Sequence, residues 1–150
     1  MSAILDLIRD YPVEQFQAGD ILIEQRHSTG RLLVLLEGEV EILRDDVRVG
    51  KAAEPGAFFG EMSALLRRPH TATVRALRPG RVAVIDDPRA FLERSSIASL
   101  HVAELLARRL DALNKYLIDV KRQYEGHDHL GMVDDVLEAL MHRQPRAAVR

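Results

Sequence analysis

From Val13 to Asp86 short aliphatic stretches alternate with turn residues at intervals of about ten positions, the pattern of an all-β sandwich or barrel. The turn signals are Gly19-Asp20, Ser28-Thr29-Gly30, Glu37-Gly38-Glu39, Arg44-Asp45-Asp46, Pro55-Gly56 and Pro79-Gly80. Between them the spacing predicts strands over Ile21–Ile23, Arg31–Leu36, Val40–Leu43, Val47–Val49, Thr71–Ala76 and Val82–Ile85, all rich in β-branched or aliphatic residues. One stretch breaks the alternation: Glu61-Met62-Ser63-Ala64-Leu65-Leu66 consists of helix formers and predicts a short helix inserted between Gly60 and Pro69. Ahead of the strands, Ile4, Leu5, Leu7 and Ile8 predict an amphipathic helix over Ala3–Arg9 that stops before Pro12.

Beyond Asp87-Pro88, an N-cap followed by proline at the first helical position, the chain reads as helix almost to Gly126. Leu106, Leu110, Leu113, Leu117, Val120 and Tyr124 recur at alternating spacings of four and three, the a/d seam through which two helices pair in a coiled coil. Packing of the same seam on the β region is the other reading. Gly126-His127-Asp128-His129 predicts a break, Met132–Met141 a last helix with Val133, Val136, Leu137 and Leu140 on one face, and residues 144–150 a frayed tail. The expected division is therefore a β unit with flanking helices over 1–95, a long helix over 96–125, and a C-terminal helix and tail over 126–150.

Composition narrows the function classes. The 150 residues suffice for one domain with a core, and 47% hydrophobic against 29% charged residues is an ordinary globular balance. The 21 Lys and Arg nearly cancel the 23 Asp and Glu, so no global basic field draws in nucleic acid. Absence of cysteine excludes disulfides, thiolate nucleophiles and Cys-based zinc sites. The acidic first turns of MSAILDLIRD do not read as a signal peptide, and the longest apolar runs fall far short of the ~20 residues that cross a bilayer, so a soluble cytoplasmic protein without a membrane partner is expected.

The candidate chemistry lies around the inserted helix, in Phe58-Phe59-Gly60-Glu61-Met62-Ser63-Ala64-Leu65-Leu66 and Pro69-His70-Thr71-Ala72-Thr73-Val74-Arg75-Ala76. Glycine at a helix entrance lets a ligand approach the backbone, and the exposed N–H groups of the first turn favour an anion such as phosphate. Glu61 in the same turn repels that anion but suits the hydroxyls of a sugar. An ordinary helix N-terminus has the same residue types.

The two segments together resemble the phosphate-binding cassette of the cyclic-nucleotide-binding family, the sensor domain of catabolite activators and of protein kinase A regulatory subunits. Ala18-Gly19-Asp20, Glu37-Gly38-Glu39-Val40 and the stretch from Arg81 to Phe91 extend the resemblance over Val13 to about Val120. The resemblance implies a mainly β fold, a double-stranded β-helix or jelly-roll-like β-roll. A short N-terminal helix, the cassette helix and long C-terminal helices would accompany it. It also implies a ligand site at Phe59, Gly60, Glu61, Met62, Ser63, His70, Thr71, Ala72 and Asn114. Gly60 and Glu61 would meet the ribose 2′-hydroxyl, and the N–H groups of Ser63 and Ala72 the cyclic phosphate. Thr71 stands where the family often uses a hydroxyl to favour guanine, hence cGMP, although a plain strand threonine reads the same way. Asn114 is the nearest match to the helix residue that the catabolite activator branch, which Ala107-Arg108-Arg109-Leu110 resembles, lays on the base; a solvent-facing asparagine is its other reading.

One position departs from the pattern. Where the family grips phosphate with arginine this sequence has His70, which lacks the planar fork and carries charge only near or below pH ~6.5. Weak, pH-sensitive binding of cAMP or cGMP is therefore one expectation. A roll retained without ligand, as a dimerisation or protein-interaction module, is the alternative. In either case a homodimer through Leu106, Leu110, Leu113, Leu117 and Val120 and a separate effector protein are the expected partners.

Direct DNA binding is not expected, since the roughly 25 residues after Gly126 are too few for a helix-turn-helix with its support. Catalysis is not expected either. His27, His70 and His101 are isolated in sequence, His127 and His129 lie outside the roll, and no nucleophile-elbow, zinc-protease or P-loop motif occurs, so neither a metal site nor an active site can be assembled.

Overall fold

The computed structural model describes residues 3–123 and 130–142. The anticipated break at Gly126–His129, Tyr124 of the seam and the tail 144–150 lie outside the described residues. Two compact units emerge, 1–102 and 103–150.

In the first unit a short helix α1 (Ala3–Leu7) precedes six antiparallel strands: β1 (Val13–Phe16), β2 (Ile21–Ile23), β3 (Leu32–Arg44), β4 (Val47–Ala52), β5 (Phe58–Phe59) and β6 (Thr73–Ile85). Their order is β1-β6-β3-β4, with β2 paired to β6 and β5 to β3. Helix α2 (Glu61–Leu66) is inserted between β5 and β6, as the loss of alternation predicts. The roll wraps a core of Phe16, Ile23, Leu33, Leu35, Val40, Phe59, Val74, Ala76, Val82 and Val84.

Leu32, Val34, Phe58, Ala83 and Ile85 alternate with those core residues and so point to the opposite face, yet they are fully buried too. That face is covered by helices: Ile4, Ile8, Phe91, Ala98 and Val102 are all buried, and Tyr11 and Phe91 meet edge to face with centroids 5.4 Å apart. Two-sided burial explains the continuous aliphatic run from Leu32 to Leu36, which an alternating strand would not need.

The long strands correct the sequence reading at two places. Arg31–Leu36 and Val40–Leu43 are parts of one strand of 13 residues, and Thr71–Ala76 and Val82–Ile85 likewise belong to a single strand of 13 residues that begins at Thr73. Glu37-Gly38-Glu39 and Pro79-Gly80 are thus irregularities inside strands, where the β3–β6 register shifts three times. The two backbones touch there. A Cβ on Gly38, whose φ is +105°, would lie 2.9 Å from the Pro79 carbonyl oxygen, and one on Gly80 would overlap the Glu37 carbonyl. Close approach, not chain reversal, is what requires these glycines.

Across the same seam three acids of β3 face three arginines of β6: Glu37 pairs with Arg81 at 3.1 Å, Glu39 with Arg78 at 3.4 Å and Glu41 with Arg75 at 3.1 Å. Glu41 is buried and also accepts from Arg48 of β4 at 3.2 Å. Burial pushes its carboxyl up, but the hydrogen bonds and charges of the two arginines together outweigh that and hold it below the ordinary carboxylate value.

The stretch expected to be one helix after Asp87-Pro88 is two, α3 (Pro88–Arg94) and α4 (Ser96–Gln123). Asp87 caps the first, its side chain accepting from the Ala90 N–H at 3.2 Å. Ser95 is extended and caps the second, its Oγ accepting from the Ala98 N–H at 3.1 Å, a stop-and-restart signal that the apolar periodicity hides. His101 of α4 is held to the roll by a 2.9 Å hydrogen bond between Nε2 and the Gly56 carbonyl, its ring 5.0 Å from that of Phe58.

The second unit holds the rest of α4 and α5 (Leu130–His142), which contains the predicted Met132–Met141. The Asn114 amide nitrogen lies 3.6 Å from the Met141 sulfur, and Lys121 pairs with Asp134. Contacts seven positions earlier on α4 and seven later on α5 define an antiparallel helical hairpin.

Candidate functional site

Strand β5 hands the chain to the cassette. Phe58 and Phe59 pair with Val34 and Leu33, which fixes the direction in which residue 60 leaves the sheet. Gly60 then takes φ +93°, ψ 4°, and a Cβ there would sit 2.6 Å from the Arg31 carbonyl oxygen, so both the left-handed backbone and the close approach demand glycine. Helix α2 starts at once. The Ala64 N–H donates to the Gly60 carbonyl at 3.1 Å, so the N–H groups of Met62 and Ser63 precede the first hydrogen bond of the helical ladder.

Glu61, in that first turn, is buried at 4% exposure. The helix closes after six residues because Arg67 turns left-handed (φ +54°) and its N–H donates to the Ser63 carbonyl, while the Ser63 hydroxyl donates to the Arg68 carbonyl at 2.6 Å. The Ser63 side chain thus shapes the loop, and only its backbone N–H faces outward from the helix start.

His70 sits beside this turn. Its ring Cε1 is 3.5 Å from the position a Gly60 Cβ would occupy, and the residue is 3% exposed. Its backbone N–H donates to the His27 carbonyl at 2.9 Å and its carbonyl accepts from the Arg26 N–H at 2.8 Å, so the loop after β2 is stitched to the cassette through residue 70. Nε2 is 2.8 Å from the Thr29 hydroxyl, which also accepts from the Arg31 N–H at 3.2 Å. Burial drives the imidazole below its ordinary value, the nearby Glu61 charge opposes this, and His27 adds to the depression; the net is downward. The ring is therefore neutral near pH 7.

The predicted site residues divide as follows. Gly60, Glu61 and His70 are brought together around the entrance of α2. Phe59 is a core residue of the roll, Met62 is exposed on the outer side of the short helix, and Thr71 and Ala72 are half-buried in the approach to β6. Asn114 belongs to the second unit, where its amide meets Met141 and its oxygen is buried without a hydrogen-bond partner. Sequence reasoning missed Thr29, 41 residues from His70 and disguised as part of a turn triplet, and no spacing rule could have found it. Among the described residues no group of three or more His, Asp and Glu is placed to hold a metal ion, and no helix is long and apolar enough to cross a membrane.

Comparison with known proteins settles the family. The pattern of the cyclic nucleotide-binding domain matches residues 13–93, from β1 to the end of α3. This chain belongs to the cyclic nucleotide-binding domain family. Its fold is that of the regulatory sensor class.

An uncharacterized ABC transporter ATP-binding protein of Mycobacterium tuberculosis is 39% identical over 97 residues, covering 62% of this chain and 28% of that protein. A second such protein of the same organism is 40% identical over 88 residues, covering 56% and 26%. The chain thus spans little more than a quarter of the length of these curated relatives. Among solved structures, the catabolite activator protein of Thermus thermophilus superposes with a TM-score of 0.64 at 21% identity, over 91% of this chain and 82% of that one. A putative cyclic nucleotide-binding protein of Geobacter metallireducens gives 0.57 at 27% identity, over 70% and 83%.

His70 is thus a buried imidazole of lowered proton affinity, at the position where the resemblance implies a permanent cation.

Proposed function

We propose that this domain is a cytoplasmic sensor that binds cAMP or cGMP weakly at the Gly60–Ala72 cassette and passes the signal through α4. The observation that carries the reading is the convergence of Gly60, Glu61 and His70 on one helix entrance, where first-turn N–H groups and a carboxylate lie side by side. In this reading the N–H groups of Ser63 and Ala72 receive the cyclic phosphate, Glu61 takes the ribose hydroxyl, and Thr71 and Asn114 touch the base. The α4 seam of Leu106, Leu110, Leu113, Leu117 and Val120 pairs two copies. Relatives named as ABC transporter ATP-binding proteins make a transport ATPase the first effector class to test.

A second reading is favoured by the burial of His70 and its bond to Thr29: the roll persists as a scaffold without nucleotide, and the helices carry an interaction function. The domain in this reading is no enzyme either.

Titration of cAMP and cGMP at pH 6 and pH 8 separates the two. An anion beside His70 favours the protonated ring, so binding takes up a proton and affinity rises as pH falls. Affinity that strengthens from pH 8 to pH 6 is the expected result; no binding at either pH by folded protein leaves only the scaffold.

A further inference from the structure

The α4–α5 hairpin carries two apolar stripes that do not face each other. On α4, at about 100° per residue, Leu106, Leu110, Leu113, Leu117 and Val120 centre roughly 60° away from the side that meets α5 through Asn114 and Lys121. On α5, Val136 and Leu140 centre roughly 130° away from the side that meets α4 through Asp134 and Met141, in the same rotational sense along the chain. In antiparallel helices, displacements of equal sense emerge on the same side of the pair. The two stripes therefore form one face of the hairpin, and it is uncovered: Leu110 is 42%, Leu113 46%, Val136 42% and Leu140 37% exposed.

We infer that this face packs on the same face of a second copy, so that the dimer is a four-helix bundle in which α5 is a full member and not an appendage. Area decides between this and a two-stranded coil. Residues 103–123 of α4 span about 30 Å and the 13 residues of α5 about 20 Å, and at about 10 Å of width each the face offers roughly 500 Å² per copy. Two copies together then bury roughly 1,000 Å², the least that a specific interface needs, whereas the α4 stripe alone falls short at roughly 600 Å². Both stripes are aliphatic, the one on α4 recurring at heptad spacing and the two α5 residues lying one turn apart, which suits packing on a helix pair of the same sequence. The inference rests on the α4 pairing proposed above and adds α5 to it.

Light scattering on the full chain, with single substitutions in each stripe, tests it. The wild type should be a dimer, and Leu113→Glu and Val136→Glu should each yield monomers whose far-UV circular dichroism matches the wild type. A dimer that survives Val136→Glu but not Leu113→Glu overturns the bundle and leaves α4 pairing intact; a wild-type monomer at every concentration overturns both. Because the chain has no cysteine, Val136→Cys gives a readout that does not depend on a charge in the interface. Its maleimide labelling should slow at least tenfold as protein concentration is raised into the dimer range, while Lys115→Cys, at an exposed position on another face of α4, labels at a constant rate. Equal rates for Val136→Cys above and below the transition refute the bundle.

Discussion

Replacing His70 by arginine tests the nucleotide reading where this chain departs from its family. In the free protein the ring is 3% exposed and makes one neutral hydrogen bond, to Thr29 at 2.8 Å, worth about 1 kcal/mol. That bond is lost on substitution whether or not ligand is present, so it lowers stability slightly without entering the affinity difference. The guanidinium gains a bidentate, charge-assisted pair with the two exocyclic phosphate oxygens, worth roughly 1.5–3 kcal/mol. At about 1.4 kcal/mol per decade this is a 10- to 100-fold tighter dissociation constant. Glu61, whose charge already acts on residue 70, supplies a counter-charge in the free state, so the new cation is not buried alone. Calorimetric titration of cAMP and cGMP against wild type and His70→Arg at pH 6 and pH 8 reads the outcome. The variant should bind 10- to 100-fold tighter at pH 8, and its affinity should be flat across that range because arginine stays charged. The wild type should close part of the gap at pH 6. Equal affinities at pH 8 for two folded proteins would refute the assignment of residue 70 to the phosphate.

Other outcomes follow from the same geometry. Gly60→Ala forces a side chain into a left-handed position 2.6 Å from the Arg31 carbonyl, so a loss of roughly 1–3 kcal/mol in urea unfolding and abolished nucleotide binding are expected. Glu61→Gln should weaken nucleotide binding about tenfold by turning a charged acceptor for the ribose into a neutral one, measured in the same titration. Glu41, held low by Arg48 and Arg75, contributes stability that is present above the ordinary carboxylate value and is lost as pH falls through its lowered one. The acid limb of the unfolding midpoint should therefore flatten in Glu41→Gln. His70, whose folded value is depressed, binds its proton more readily unfolded, so stability is full above about pH 6.5 and declines below it, a slope that His70→Gln should reduce.

What could be read from the sequence divides by the range of the contacts involved. Helix α2 and the cassette were legible because Gly60, Glu61 and the residues up to Leu66 define their own backbone within one short stretch, and the strand pattern was legible because burial alternates locally. The places where local reading failed are places where two distant segments meet. Gly38 and Gly80 look like turn residues in isolation, yet they are the points at which β3 and β6 press backbone on backbone. Ser95 is the exception, a local cap three residues from Ala98 that the apolar periodicity on either side conceals. The candidate site follows the same rule. Its donors and its acid come from one segment, but the state of His70 is set by Thr29 and His27 from the loop after β2 and by Glu61 from α2. A histidine in place of arginine can be noticed in the sequence; that it is enclosed and held neutral cannot, because enclosure is contributed by residues some 40 positions away. That difference bears on function. An exposed histidine would retain its ordinary proton affinity and act as a weak substitute for arginine below about pH 6.5, whereas an enclosed one takes up its proton less readily and gains more from an anion beside it. In the nucleotide reading the charge on residue 70 thus depends on occupancy, and proton uptake on binding is the quantity in which the sensor and the scaffold readings differ most.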